Sequence, residues 1–154
     1  MTISKDLFLS ILSMDAYNRG YNPSIAGLSD AVDTGIGTAR VKQASDSRAD
    51  SAEVAASFYA ISYTIGTGVD GIAPGTTVIS YRGTDKPAKE LALVDFAMSY
   101  GGSFAQKQIA FAQQFFSAVD ASNGASPMLL TGHSLGGRLA GLQARLFGNE
   151  AIAA

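Results

Sequence analysis

The sequence predicts a single α/β domain over residues 1–154, and three observations lead to that prediction. A short, fully apolar run at 127–132 is typical of a buried parallel strand. A stretch with helical periodicity, 135–147, follows it after a turn of two residues. Two earlier segments, 54–65 and 76–82, alternate with the period of two that strands show. Strands and helices in this order indicate a mixed sheet with flanking helices.

The first fifty residues predict one helix and one long loop. Ser4 can cap a helix, and Asp6 lies in its first turn, where a negative charge complements the helix dipole. The apolar residues of this helix share one face as far as Tyr17. Residues 20–52 are rich in Gly, Ser and Asp and show little periodicity, so we expect an irregular loop over the core.

Residues 66–71 match G-x-G-x-x-G, but we interpret them as a hairpin loop. A dinucleotide-binding loop opens a helix, whereas this segment leads through a Pro-Gly pair into the strand at 76–82. Further along, apolar residues predict a helix at 88–100 and a second one at 103–121. Because residues 66–71 are interpreted as a hairpin loop and not as a dinucleotide-binding loop, no nucleotide cofactor is expected.

The most informative stretch is Gly-His-Ser-Leu-Gly-Gly at 132–137. It is a G-x-S-x-G motif between a strand and a helix, a context that holds a serine on a strained turn. Ser134 is therefore the predicted catalytic nucleophile. A side chain at 132 or 136 would collide with the neighbouring strand or helix. The only histidine, His133, adjoins Ser134 and is expected to point elsewhere, so the sequence contains no suitable base.

Two segments together resemble the class 3 (fungal-type) lipase family of α/β-hydrolases. They are Tyr-Arg-Gly-Thr at 81–84 and the hexapeptide at 132–137. The resemblance covers residues 57–147, the N-terminal part of that family's domain. It implies an α/β-hydrolase-like fold with a truncated mixed sheet, because the family's Asp and His lie on later strands that this sequence does not contain.

The same resemblance implies roles for individual residues. Ser134 corresponds to the acyl nucleophile. The backbone N–H of Leu135 and the backbone and hydroxyl of Thr84 correspond to the oxyanion hole. Residues 85–100 lie where the family carries a mobile lid, and their apolar side chains would suit contact with a lipid interface.

The function predicted on this basis is a serine carboxylic-ester hydrolase, of lipase or esterase type, acting on an ester or lipid substrate. Without a triad histidine, the given chain would be an incomplete catalyst. One alternative is a non-catalytic hydrolase-like domain that binds an acyl ligand or a protein. Another is a site completed by a partner chain or a swapped copy. The substrate class is not determined by the sequence.

Composition excludes several other classes. Eleven basic and thirteen acidic residues give a net charge of −2 with no basic block, which argues against a nucleic-acid partner. The chain has no cysteine, so neither a disulfide framework nor a thiolate metal site is expected. We expect no metal, no signal peptide and no membrane span. A cytoplasmic location is the default, with secretion by another route left open.

The strand at 128–132 also leads to a prediction about association. In the fold implied by the resemblance this strand is central, and its second neighbour would come from later sequence. An unpaired apolar edge favours pairing with another chain. We therefore expect a homodimer, an element swap or aggregation through this sheet edge, unless residues 20–52 cover it.

Overall fold

A computed structural model of the chain describes residues 2–25, 27–83 and 102–153. The strands are β1 Ile3–Ser4, β2 Gly35–Ile36, β3 Ala39–Ala44, β4 Ala60–Ile65, β5 Val69–Asp70, β6 Thr77–Tyr81, β7 Met128–Gly132 and β8 Glu150–Ala153. The helices are α1 Lys5–Asp15, α2 Ala52–Ala55, α3 Ser103–Ala121 and α4 Leu135–Phe147, with a short 3-10 helix at Ala16–Asn18.

Six of the strands form one mixed sheet in the order β2-β3-β4-β6-β7-β8, and β1 pairs separately with β5. The pairs from β2 to β6 are antiparallel, whereas β6, β7 and β8 run parallel. One apolar cluster packs α3 and α4 against the sheet, and a second cluster contains the buried face of α1. The predicted α/β class, a mixed sheet with flanking helices, is confirmed.

The predicted starts of three helices, α1, α3 and α4, agree with the structure. The hydroxyl of Ser4 accepts the N–H of Leu7 and caps α1. Helix α3 starts at the predicted residue, although its N-cap is Gly102 and no side chain caps it. Helix α4 covers the predicted range and ends at Gly148, whose φ of +72° is left-handed. The helix predicted at 88–100 lies outside the described residues.

The predictions for residues 20–65 were partly wrong. The expected loop contains β2 and β3, and β3 pairs with β4 in antiparallel register. The sequence of β3 is Ala-Arg-Val-Lys-Gln-Ala, and only two of these six residues are buried. Its two basic residues weaken the alternation of apolar and polar residues that would indicate a strand. The strand predicted from residue 54 begins only at Ala60. The residues before it form α2, capped by the Ser51 hydroxyl.

The predicted exposed edge of β7 is also wrong. Strand β8 pairs with it in parallel from Leu129 opposite Glu150 to Gly132 opposite Ala153. Left-handed Gly148 ends α4 and lets the chain return, so that β7, α4 and β8 form a β-α-β unit. The edge is covered by residues 150–153 and not by residues 20–52. The homodimer expected through this edge therefore loses its basis.

A buried ion pair fastens the segment after α1 to the core. The Arg19 guanidinium, only 2% exposed, donates from Nε to Asp15 Oδ2 at 2.5 Å. Its Nη1 donates to the carbonyl of Ser29 at 2.5 Å. The same carboxylate oxygen of Asp15 accepts the hydroxyl of Tyr63, on β4, at 2.6 Å. Helix, strand and following loop are therefore tied together at one carboxylate.

Candidate functional site

Ser134 lies at the corner between the end of β7 and the start of α4. Its backbone has φ 56° and ψ −123°, a combination that residues with a side chain rarely adopt. The turn is closed by two backbone hydrogen bonds, from Gly136 N–H to the His133 carbonyl at 3.0 Å and from Gly137 N–H to the Ser134 carbonyl at 3.1 Å. The residue is exposed. A strained backbone therefore presents an accessible hydroxyl.

The glycines on either side of Ser134 are required by close packing. A Cβ on Gly136 would overlap the carbonyl of Tyr81, at the end of β6. A Cβ on Gly132 would overlap the backbone of Gly136. The predicted collisions are confirmed. This close approach places the first turn of α4 directly against the ends of two parallel strands.

Of the two predicted oxyanion donors, Leu135 lies within the described residues and Thr84 does not. Among the described residues the N–H of Leu135 donates to no protein acceptor, as is usual in the first turn of a helix. Thr84 lies outside the described residues. The residue before it, Gly83, is packed against the corner, because a Cβ there would lie 2.7 Å from the His133 carbonyl oxygen and 3.4 Å from Ser134 Cβ. Gly83 belongs to the segment at 81–84 that was noted from the sequence, but no role of its own was predicted for it.

The side chain of His133 contacts Tyr17, just after α1. Nδ1 of His133 lies 3.1 Å from the Tyr17 hydroxyl, and the two rings meet edge to face at 5.8 Å. Burial raises the pKa of Tyr17, against the opposing effects of a hydrogen bond with the Gly83 backbone and the charge of Arg82. The phenol is therefore neutral near pH 7 and can donate to Nδ1. The sequence indicated Tyr17 only as the end of a helix.

Open space adjoins the serine. A cavity of about 440 Å³ borders on Ser134 and His133, and its other walls come from α1, the 3-10 helix and the loop after it. The remaining lining residues are Met14, Tyr17, Asn18, Ser24 and Ile25. The cavity is of a size that small-molecule sites commonly have.

The part of the chain that the structure describes contains no cluster of side chains that could bind a metal ion. No three His, Asp or Glu side chains are grouped there so that they could hold an ion. None of the described helices is long and apolar enough to cross a bilayer. Within the described residues, the site offers an exposed hydroxyl, a helix N–H beside it that has no protein acceptor, and an adjoining cavity.

Comparison with known proteins identifies the family. A family model described as Mbeg1-like matches residues 41–152, well over half of the chain. The chain belongs to the Mbeg1-like family. The matched segment runs from within β3 to within β8 and therefore includes Ser134, whereas α1 and Tyr17 precede it. No curated protein and no solved structure shows significant similarity to the chain.

This finding corrects the assignment made from sequence. The class 3 lipase resemblance is wrong, because the family that matches is Mbeg1-like. The predicted carboxylic-ester hydrolase of lipase or esterase type, together with its alternative of an acyl- or protein-binding domain, rested on that resemblance and falls with it. The glycines of the hexapeptide are explained by backbone clearance at Tyr81 and Gly136. Such a motif indicates the turn and not a substrate.

Backbone strain at Ser134 leads to a stability prediction. Replacing it by Gly removes the side chain from a left-handed conformation, which we expect to raise the free energy of unfolding by about 1 kcal/mol. Denaturant unfolding measures the change. Ser126, an exposed serine outside the left-handed region, is the matched control, and Ser126→Gly should gain nothing. A destabilised Ser134→Gly variant would contradict strain at this corner.

Proposed function

We propose that the chain carries the nucleophile of a serine-dependent enzyme with an α/β-hydrolase-like arrangement. One observation carries the proposal: Ser134 has φ 56° and ψ −123° at the end of a parallel strand, with its residue exposed beside a cavity. Strain of this kind persists where surrounding structure enforces it, and it concentrates at functional sites. The strand, turn and helix around Ser134 support the same proposal.

The reaction is transfer of a group to the serine oxygen. Ser134 Oγ forms a bond to an electrophilic carbonyl or phosphoryl centre, the bond to the leaving group breaks, and the hydroxyl proton departs with that group. The N–H of Leu135, free among the described residues and next to the nucleophile, is the donor suited to the oxygen on which negative charge develops. Gly83 allows the end of β6 to pack against this corner, because a Cβ there would overlap the Tyr17 hydroxyl and the His133 carbonyl.

Removal of the proton from the Ser134 hydroxyl limits the catalytic turnover expected of this chain. Its one histidine is His133, and the Tyr17 hydroxyl lies within hydrogen-bond distance of Nδ1. Among the described residues no base is hydrogen-bonded to Ser134 Oγ, and a serine without one keeps only the part of catalysis given by oxyanion donors and binding. We therefore expect one covalent modification per chain instead of rapid turnover.

A p-nitrophenyl phosphonate with a short alkyl group tests the proposal. Attack by Ser134 Oγ forms an O–P bond and releases p-nitrophenol, which absorbance measures, while mass spectrometry locates the adduct. We expect one equivalent released and one adduct, at Ser134. Ser134→Ala should form none.

The matched control is Ser126→Ala, which removes an exposed hydroxyl away from the corner. It should react as the unaltered chain does. Adducts spread over several serines, or an unchanged reaction in Ser134→Ala, would refute the proposed nucleophile. Circular dichroism of both variants checks that each is folded.

A further inference from the structure

A second cavity lies beside the one at Ser134, along the side of α1. Its volume is about 410 Å³, and it shares Met14 and Asn18 with the first cavity. The other residues that line it are Ser10, Ile11, Asp15, Leu28 and Ile36. Because Met14 and Asn18 line both cavities, the two lie side by side along α1, and we call the pair the α1 groove.

The described lining of the α1 groove suits an uncharged, apolar occupant. Met14, Ile25 and Leu28 are 51%, 88% and 44% exposed, although large apolar side chains gain free energy when they are buried. The one charged side chain in that lining is Asp15, whose Oδ2 is engaged by Arg19 and Tyr63. Asp15 Oδ1 accepts no hydrogen bond among the described residues, but the carboxylate is only 3% exposed and is paired with Arg19, so it offers a ligand little charge.

The outer wall of the groove is held in place before anything binds. The N–H of Ser24 donates to the Tyr17 carbonyl at 2.8 Å, and the N–H of Leu28 donates to the Asn18 carbonyl at 3.0 Å. The N–H of Ile25 donates to Asn18 Oδ1 at 3.2 Å. Such preorganisation reduces the entropy lost when a ligand binds.

We propose that the substrate carries an unbranched hydrocarbon chain that lies in the α1 groove, with Met14 setting the accepted chain length. The proposal rests on the proposed role of Ser134, since the reacting group would lie at the serine end of the groove. Met14 lines both cavities, so its side chain is placed to control passage from the serine cavity to the second one. Its thioether is flexible and apolar, properties that suit contact with hydrocarbon.

Straight-chain methyl ketones of increasing length test the proposal separately from the reaction. They have no leaving group, so binding is measured whether or not Ser134 is a nucleophile. Ligand-observed NMR gives the affinities, and the methyl resonance of Met14 locates the ligand. We expect affinity to rise about threefold per added methylene until the chain fills the groove.

Three variants decide the result. Met14→Trp should abolish the length-dependent gain, and Leu28→Asp, which lies in the second cavity alone, should weaken the long ketones more than the shortest one. Leu146→Trp, at another exposed apolar residue, is the matched control and should keep the full gain. Affinity that does not rise with length, or a gain that survives both groove variants, overturns the inference. Thermal melts establish that each variant is folded, and failure of phosphonate labelling would refute only the nucleophile.

Discussion

Replacing Asp15 by Ala is expected to lower the free energy of unfolding by about 3 to 5 kcal/mol. The change leaves the buried guanidinium of Arg19 without its counter-ion, 2.5 Å away. It also removes the acceptor of the Tyr63 hydroxyl. A buried charge that loses its partner keeps its full desolvation cost, which is why the expected loss is so large.

The loss should extend beyond the ion pair itself. Arg19 also donates to the carbonyls of Ser29 and Gly35, so it holds the loop that forms the outer wall of the α1 groove. We expect amide hydrogen exchange in residues 27–36 to accelerate in the Asp15→Ala variant. Guanidinium unfolding gives the stability change on the same samples.

Asp6 is the matched control, because it lies in the same helix and is exposed. Asp6→Ala should cost less than about 1 kcal/mol, the range of a charge near a helix N-terminus. The double variant Asp15→Leu, Arg19→Met should recover stability relative to Asp15→Ala, since it removes both charges. Equal losses in Asp15→Ala and Asp6→Ala would show that the ion pair does not fasten the loop.

Local sequence signals predicted the elements that have strong ones. Helix α4 lies between a glycine-lined turn and Gly148, and both ends could be read from residues. Strand β3 could not, because its partly polar sequence becomes a strand only through pairing with β4. Strand β8 was missed for the same reason: four residues, Glu-Ala-Ile-Ala, carry little strand signal until β7 lies beside them.

The candidate site also combines a feature that local sequence predicts with features that depend on tertiary contacts. The position of Ser134 follows from its neighbours in sequence, since Gly132 and Gly136 are needed by the turn itself. The contact between Tyr17 and His133 joins residues 116 apart, and no pattern in the chain relates them. The α1 groove likewise depends on loop residues that fold back onto the 3-10 helix. The family attribution failed because the G-x-S-x-G motif at 132–136 follows from the geometry of the turn and does not by itself identify a family.

Three buried tyrosines lead to the second large prediction, a steep loss of stability at alkaline pH. Tyr59, Tyr63 and Tyr81 are fully buried, and burial is the main cause that raises the pKa of each hydroxyl. Nearby carboxylates, Asp30 for Tyr59 and Asp15 for Tyr63, raise the pKa further. In the folded chain all three stay protonated at pH values where a free phenol ionises.

The direction of the effect follows from proton counting. Below about pH 10 the folded and the unfolded chain both keep the tyrosine protons, so these groups contribute no pH dependence to the free energy of unfolding. Above it the unfolded chain releases protons that the folded chain retains, and stability falls by about 4 kcal/mol per pH unit for three such groups. Urea unfolding at a series of pH values measures the slope. Tyr81→Phe, which loses one hydrogen bond to the Ala112 carbonyl, should reduce the slope by about 1.4 kcal/mol per pH unit, the contribution of one such group. An unchanged slope in that variant would mean that Tyr81 ionises in the folded protein.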